Sequence, residues 1–214
     1  MSERPEALRF QFEDLDQQRA ADEFGMWVFL LTEVLFFGAL FLVYAVARWN
    51  HPEAFIDGSH LLNATLGTVN TAILLTSSLA IAVADLAVRE DARRLARWML
   101  SATLLLGLAF LAVKGYEYLL EYRHHRVPFL DRPFEWPGPD AREGRLFFNL
   151  YFAMTGLHAL HLVVGCGLVC AMLWLNERSR LPARLTAQVR AAGLYWHFVD
   201  VVWVFLFPLL YLVR

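Results

Sequence analysis

Residues 146–175 read LFFNLYFAMTGLHALHLVVGCGLVCAMLWL, and this stretch contains no Asp, Glu, Lys or Arg. As an α-helix it would be about 45 Å long, because each residue adds roughly 1.5 Å. The hydrocarbon core of a bilayer is about 30 Å thick and offers no water to backbone N–H and C=O groups, which a helix satisfies internally. The stretch therefore predicts a membrane-spanning helix.

Four further stretches have the same character. Hydrophobic residues make up 58% of the 214-residue chain and charged residues 19%, a balance too apolar for an ordinary soluble domain. None of the stretches alternates polar and apolar residues as a membrane β-strand does. We expect one all-α, polytopic membrane domain of five transmembrane helices, at residues 24–47, 61–84, 98–120, 146–175 and 191–213.

Arginine is distributed unequally between the two sides of this bundle. Eleven arginines lie in the N-terminal tail (residues 1–23) and in the second and fourth connections, and seven lie on the other side. Because positive charge favours the cytoplasmic side, we expect the polar tail to be cytoplasmic and the C-terminus to be outside. The formal net charge of −2 gives no indication of a nucleic-acid partner.

Five ionisable side chains interrupt the apolar stretches: Glu33, His158, His161, His197 and Asp200. Counting along straight helices places all of them roughly 8–13 Å from the cytoplasmic face. Ionisable groups in hydrocarbon are costly and therefore face a partner or a cavity. Two interpretations stay open for this layer: a proton-active or ligand-holding site, and interhelical hydrogen bonds that only fix the bundle.

A second polar pair, Lys114 and Glu117, lies near the outer end of the third span. Its three-residue spacing favours an interfacial or snorkelling ion pair. The sequence predicts no catalytic residue and no metal ligand, because the Glu-x-x-His pairs of di-iron bundles are missing. Two functions stay open from the residues alone: a self-contained membrane haem or metal protein, and a transporter.

Several stretches resemble signature segments of subunit III of the haem-copper terminal oxidases, in the five-helix bacterial form. The resemblance occurs in every span and in the family's order. The segments are WVFLLTEVLFF at 27–37, NTAILLTSS at 70–78, KGYEY at 114–118, FAMTGLHALHLVVG at 152–165 and YWHFVDVVW at 195–203.

This resemblance implies an accessory subunit in aerobic respiration, in a multi-pass protein of the bacterial cytoplasmic membrane. In the family, haem and copper belong to subunits I and II, which reduce O2 and pump protons. Subunit III binds neither cofactor, packs beside subunit I, holds structural phospholipids and supports proton uptake. Cytochrome c is then the electron donor to the complex, and a quinol oxidase or nitric oxide reductase partner is the alternative.

The resemblance also assigns residues. The family's membrane acid corresponds to Glu33, and its motif histidines and aspartate correspond to the four other members of the polar layer. A basic residue that holds lipid phosphate in the family does not align, because Leu175 stands there. Arg178 and Arg180, which follow closely, are the expected lipid headgroup contacts.

Overall fold

The computed structural model of the chain describes residues 11–12, 14–129, 134–178 and 182–213. This part of the chain is entirely helical apart from turns and loops, which confirms the predicted fold class. The helices are α1 (Leu15–Asn50), α2 (Pro52–Leu61), α3 (Ala64–Arg89), α4 (Arg93–Arg123), α5 (Ala141–Arg178) and α6 (Pro182–Tyr211). All except α2 are long and apolar enough to cross a membrane.

The helices differ from the predicted spans mainly at their ends. Helix α1 begins at Leu15, so the end of the tail expected at residues 1–23 is helical. Asp14 caps this helix by accepting a hydrogen bond from the Gln17 N–H at 2.7 Å, which satisfies one of the free backbone donors at a helix start. Capping residues are polar and lie outside the apolar stretch from which a span is predicted. The helix is therefore longer than the predicted span.

Helix α2 is absent from the sequence prediction. It has only 10 residues and begins with Pro52, whose fixed φ suits the first turn of a helix. The predicted second span began at residue 61, whereas Leu61 ends α2 and Asn63 caps α3 by accepting hydrogen bonds from the Thr65 and Leu66 N–H groups. A short amphipathic helix lacks the apolar length on which the prediction relied.

Helices α3, α4, α5 and α6 form a four-helix bundle in which each packs against two neighbours. Helix α1 lies outside this bundle and contacts α2, α5 and α6 among the described helices. Helix α2 and the described parts of the connection after α4, residues 124–129 and 134–140, lie at one end, called here the α2 end. The turn between α3 and α4 lies at the opposite end.

Small residues let the bundle helices approach closely. A Cβ atom at Gly107 on α4 would lie 2.7 Å from the Trp196 ring of α6. The Trp196 indole N–H donates to Ser77 Oγ of α3 at 3.0 Å. Three helices therefore meet at one buried indole, and this contact fixes their relative depth. The same level of α6 carries the polar residues that form the candidate site.

Candidate functional site

Glu33 and His161 form a polar contact between α1 and α5. Glu33 Oε2 lies 3.0 Å from His161 Nε2, and the side chains are 20% and 15% exposed. His161 Nδ1 lies 2.8 Å from the Leu157 carbonyl oxygen. Since a carbonyl can only accept, Nδ1 carries a proton there. The Nε2–Oε2 hydrogen bond then needs one further proton, held by either the carboxyl or the imidazole.

This pair is enclosed by aromatic side chains on the bundle side. The Phe37 ring of α1 lies 5.1 Å from the His161 ring, and the Tyr195 hydroxyl of α6 donates to the His161 carbonyl oxygen at 3.1 Å. The contact thus joins α1, α5 and α6. The pair itself remains partly exposed.

His197 has a different partner. Its Nδ1 lies 2.7 Å from Ser78 Oγ on α3, although Asp200 follows it by three residues on α6. Neither carboxyl oxygen of Asp200 makes a hydrogen bond with the described residues, and the Ser78 hydroxyl is the polar group that lies within interaction range of this carboxyl. The two residues are therefore not paired with each other, and His197 instead joins α6 to α3.

His158 lies apart from the other histidines, in the centre of the four-helix bundle. Its ring centroid is 5.5 Å from Phe110 and 5.1 Å from Trp203, and neither ring nitrogen has a hydrogen-bond partner within the described chain. The predicted layer is thus divided. One acid–imidazole pair joins α1 to α5, and one hydroxyl–imidazole pair joins α3 to α6. Asp200 is buried near Ser78, and His158 is buried without a hydrogen-bond partner among the described residues.

Lys114 is the centre of a second cluster, near the α2 end. Its ammonium group lies 2.9 Å from Glu117 Oε2, 3.0 Å from the Tyr151 hydroxyl and 2.5 Å from the Tyr211 hydroxyl. Tyr211 in turn donates to Glu117 Oε1 at 2.6 Å. The Lys114 and Glu117 side chains are each only 2% exposed.

The burial of this pair differs from the snorkelling position that the sequence suggested. Lys114 and Glu117 face α5 and α6 and not the headgroup region, because two tyrosines supply partners inside the bundle. The cluster extends to the surface of the α2 end through Glu121, whose Oε2 is 3.3 Å from Arg126 Nη1. The spacing of Lys114, Glu117 and Glu121 on one helix face was a sequence signal for this cluster, whereas nothing local marked the tyrosines.

Two predicted lipid contacts cannot be placed, because Arg180 and the side chain of Arg178 lie outside the described residues.

A cleft of about 480 Å³ opens between α1 and α6, at the end of the bundle where α3 ends. It combines apolar and charged walls. Its lining includes Met26, Leu194, Asp22, Glu23, Arg89 and Arg190, with ion pairs between Arg89 and Asp85 and between Arg190 and Glu23.

No group of three His, Cys, Asp or Glu side chains within the described ranges is arranged to hold a metal ion. Within the described residues, the polar contacts of the Glu33–His161 pair and of the Lys114 cluster join side chains to other side chains and to backbone carbonyl oxygens. Chemically, the structure provides two features. Glu33 and His161 share one proton between α1 and α5, and the Lys114 cluster at the α2 end is a buried network in which positive and negative charges balance.

Comparison with known proteins assigns this helical arrangement to a family. The family model described as cytochrome c oxidase subunit III matches residues 16–124 and 139–213. The chain belongs to the cytochrome c oxidase subunit III family. The match covers all five membrane-spanning helices and both polar clusters, and it confirms the resemblance found in the sequence.

Individual relatives agree with this assignment. Cytochrome c oxidase subunit 3 of Thermostichus vulcanus is 36% identical over 193 residues, which cover 88% of this chain and 85% of the relative. Cytochrome bo(3) ubiquinol oxidase subunit 3 of Pseudomonas aeruginosa is 30% identical over 88% of this chain and 83% of its own length. Haem-copper oxidase subunit I+III of Aeropyrum pernix is 31% identical over 88% of this chain and 22% of its own length.

This family membership establishes several general properties. The chain is an accessory subunit of a haem-copper oxidase, a multi-pass protein of the cell membrane that associates with other oxidase subunits in aerobic respiration. The assignment says nothing about which individual side chains matter.

Proposed function

We propose that this chain is the non-catalytic subunit III of a bacterial cytochrome c oxidase. In this proposal it packs mainly against subunit I, in a complex that also contains subunit II and takes electrons from cytochrome c. The haem and copper centres belong to those partners, and this chain contributes bound phospholipids, stability and support for proton uptake. The arginine distribution favours a cytoplasmic N-terminus.

The Glu33–His161 pair is the observation that carries this proposal. A hydrogen bond that needs one proton between a carboxyl and an imidazole can exchange that proton with a neighbouring donor without breaking the pair. The two side chains are partly exposed, and we propose that a partner subunit or a lipid contacts them there. By contrast, Lys114 and Glu117 are buried among protein groups, which favours a structural role for them.

Helix α1 supports the proposal that this face binds a partner or lipid. Its large apolar side chains include Leu35, which is 66% exposed, and Leu42, which is 65% exposed. An exposed apolar surface of this kind must be covered in the membrane by lipid or by another subunit. The fused relative, named subunit I+III, supports subunit I as the main partner.

The cleft between α1 and α6 supports phospholipid binding. Arg89 and Arg190 lie beside the apolar Met26 and Leu194. Each is paired with an acid, but a planar guanidinium has five N–H donors, so donors remain for a phosphate group. We propose this cleft as a lipid headgroup site, with Arg178 and Arg180 as further contacts.

The role is tested by comparing purified oxidase that contains this chain with the same oxidase stripped of it, reconstituted in vesicles. We expect the same initial O2 consumption and the same haem spectrum, but slower proton uptake and earlier loss of activity in the stripped enzyme. An unchanged active lifetime and unchanged proton uptake would contradict the proposal, as would the loss of the haem spectrum. Activity with reduced cytochrome c but not with a quinol would support the proposed electron donor.

A further inference from the structure

One level of the four-helix core is fixed by contacts around Trp203. Its indole N–H donates to Thr71 Oγ1 of α3 at 3.0 Å. Its ring lies 4.8 Å from Phe110 of α4 and 5.1 Å from His158 of α5. Residues near Thr71, Phe110, His158 and Trp203 therefore lie at one depth in the bundle, enclosed by all four helices.

Two fully enclosed polar side chains at this level have no protein partner. Asn70, next to Thr71, is 0% exposed, and His158 is 1% exposed. Both polar atoms of the Asn70 amide and both ring nitrogens of His158 lack hydrogen-bond partners among the described residues. Buried polar atoms left without partners are rare because they lose their hydration and gain nothing in return.

The neighbouring lysine cannot satisfy them. Lys114 Nζ lies 5.4 Å from the centre of the Trp203 ring, close to the same level. However, an ammonium group has three donors, and those of Lys114 are used by Glu117, Tyr151 and Tyr211. The four unpartnered atoms of Asn70 and His158 therefore need another ligand.

We propose that Asn70 and His158 bind a small cluster of buried water molecules inside the α3–α6 bundle. Water fits this set because it both donates and accepts, as an amide and a neutral imidazole require, and a buried water makes about three hydrogen bonds. A metal ion fits less well, because a carboxamide beside a single imidazole is a weak ligand set. The site extends the polar interior beyond the lysine cluster and does not depend on the proposed function.

The test is a cryo-EM map of the intact oxidase complex at a resolution that shows ordered water. We expect density peaks within hydrogen-bond distance of Asn70 Nδ2 or Oδ1 and of a His158 ring nitrogen. In Asn70→Leu the peak beside residue 70 should disappear. Leu75→Val is the matched control, because Leu75 lies on α3 but is 54% exposed, and it should leave every peak in place.

Two results would overturn the proposal. One is a wild-type map in which Asn70 and His158 bond directly to each other or to other protein groups with no peak between them. The other is a strong peak together with stoichiometric metal in the elemental analysis of the complex beyond that of the known oxidase centres. The wild-type map decides the question even if Asn70→Leu fails to assemble.

Discussion

Glu33 Oε2 and His161 Nε2 lie 3.0 Å apart and join α1, the helix outside the four-helix bundle, to α5. Other polar contacts of α1 are made near its ends, where Tyr44 donates to the Leu209 carbonyl oxygen and Glu23 pairs with Arg190. The middle of α1 is held by this pair together with aromatic contacts, such as those of Phe37 with His161 and Phe198.

Glu33→Ala is expected to loosen α1 without disturbing the redox centres. Loss of a hydrogen bond costs about 0.5–1.5 kcal/mol when both partners are neutral and about 1.5–3 kcal/mol when one is charged, so the apparent Tm of the complex should fall while its haem spectrum is unchanged. Glu33→Gln retains a donor toward His161 Nε2 but cannot release a proton, so it should assemble normally and show slower proton uptake. Val34→Ala, at a residue 52% exposed beside Glu33, is the control. Equal effects of Glu33→Ala and Val34→Ala on Tm would argue against this role.

Lys114→Met is expected to be strongly destabilising. It leaves the Glu117 carboxyl buried without its cation, and breaking a buried ion pair costs about 3–5 kcal/mol. The double variant Lys114→Met/Glu117→Met removes both charges and should recover much of this loss.

Thermal unfolding of the complex in detergent measures the effect of the lysine change. Tyr116→Phe, on the same helix but 53% exposed, is the control and should change little. If the single Lys114 variant were as mild as Tyr116→Phe, or the double variant were worse than the single one, the buried pair would not act as described.

Two glycines of α4 should respond oppositely to alanine. Gly107→Ala places a methyl group 2.7 Å from the Trp196 ring and 3.1 Å from Cys166 Sγ, and the indole is held by its bond to Ser77. Such overpacking costs about 1–3 kcal/mol. Gly115→Ala meets open space and should be neutral or stabilise the helix by up to about 1 kcal/mol. The apparent Tm of each variant complex checks this order, and a reversed order would contradict the close packing.

The cleft between α1 and α6 gives a prediction about lipid. The double variant Arg89→Ala/Arg190→Ala should lower the amount of phospholipid that copurifies with the complex, because both cations of the cleft are lost. Arg97→Ala is the control, since Arg97 pairs with Glu177 across α4 and α5 and is not part of the cleft lining. Quantitative lipid mass spectrometry provides the measurement. Retention equal to that of the control would assign lipid binding elsewhere, for which Arg178→Ala/Arg180→Ala is the next test.

The membrane-spanning helices could be predicted because hydrocarbon imposes a length and a polarity that are visible in any single segment. Residues 146–175 alone contain enough apolar sequence to cross the bilayer. Helix α2 could not be recognised by this criterion, because its 10 residues are stabilised by packing of Phe55 against Phe147 and Tyr44. Packing of that kind is a tertiary property.

The candidate site was predictable in part. Counting residues along straight helices gives the approximate depth of a side chain, and on that basis one polar layer of five ionisable residues was predicted. It does not give the rotation of each helix about its axis, which decides the neighbour that a side chain faces. His161 therefore faces Glu33 on α1, whereas His158, one turn away on the same helix, faces Trp203 in the bundle core. Likewise Tyr211, which is 97 residues from Lys114, could not be assigned to it from spacing.

Purification through an affinity tag on this chain, from the membranes of its own organism, is the direct test of its role as an oxidase subunit. We expect haem-copper oxidase subunits I and II to copurify with it in equal amounts, and the preparation to show the optical spectrum of the oxidase. The same tag on a chain separated from those partners should yield no haem spectrum. Isolation of the chain in a stable complex without any haem-copper subunit, or a haem spectrum from the separated chain itself, would contradict the account.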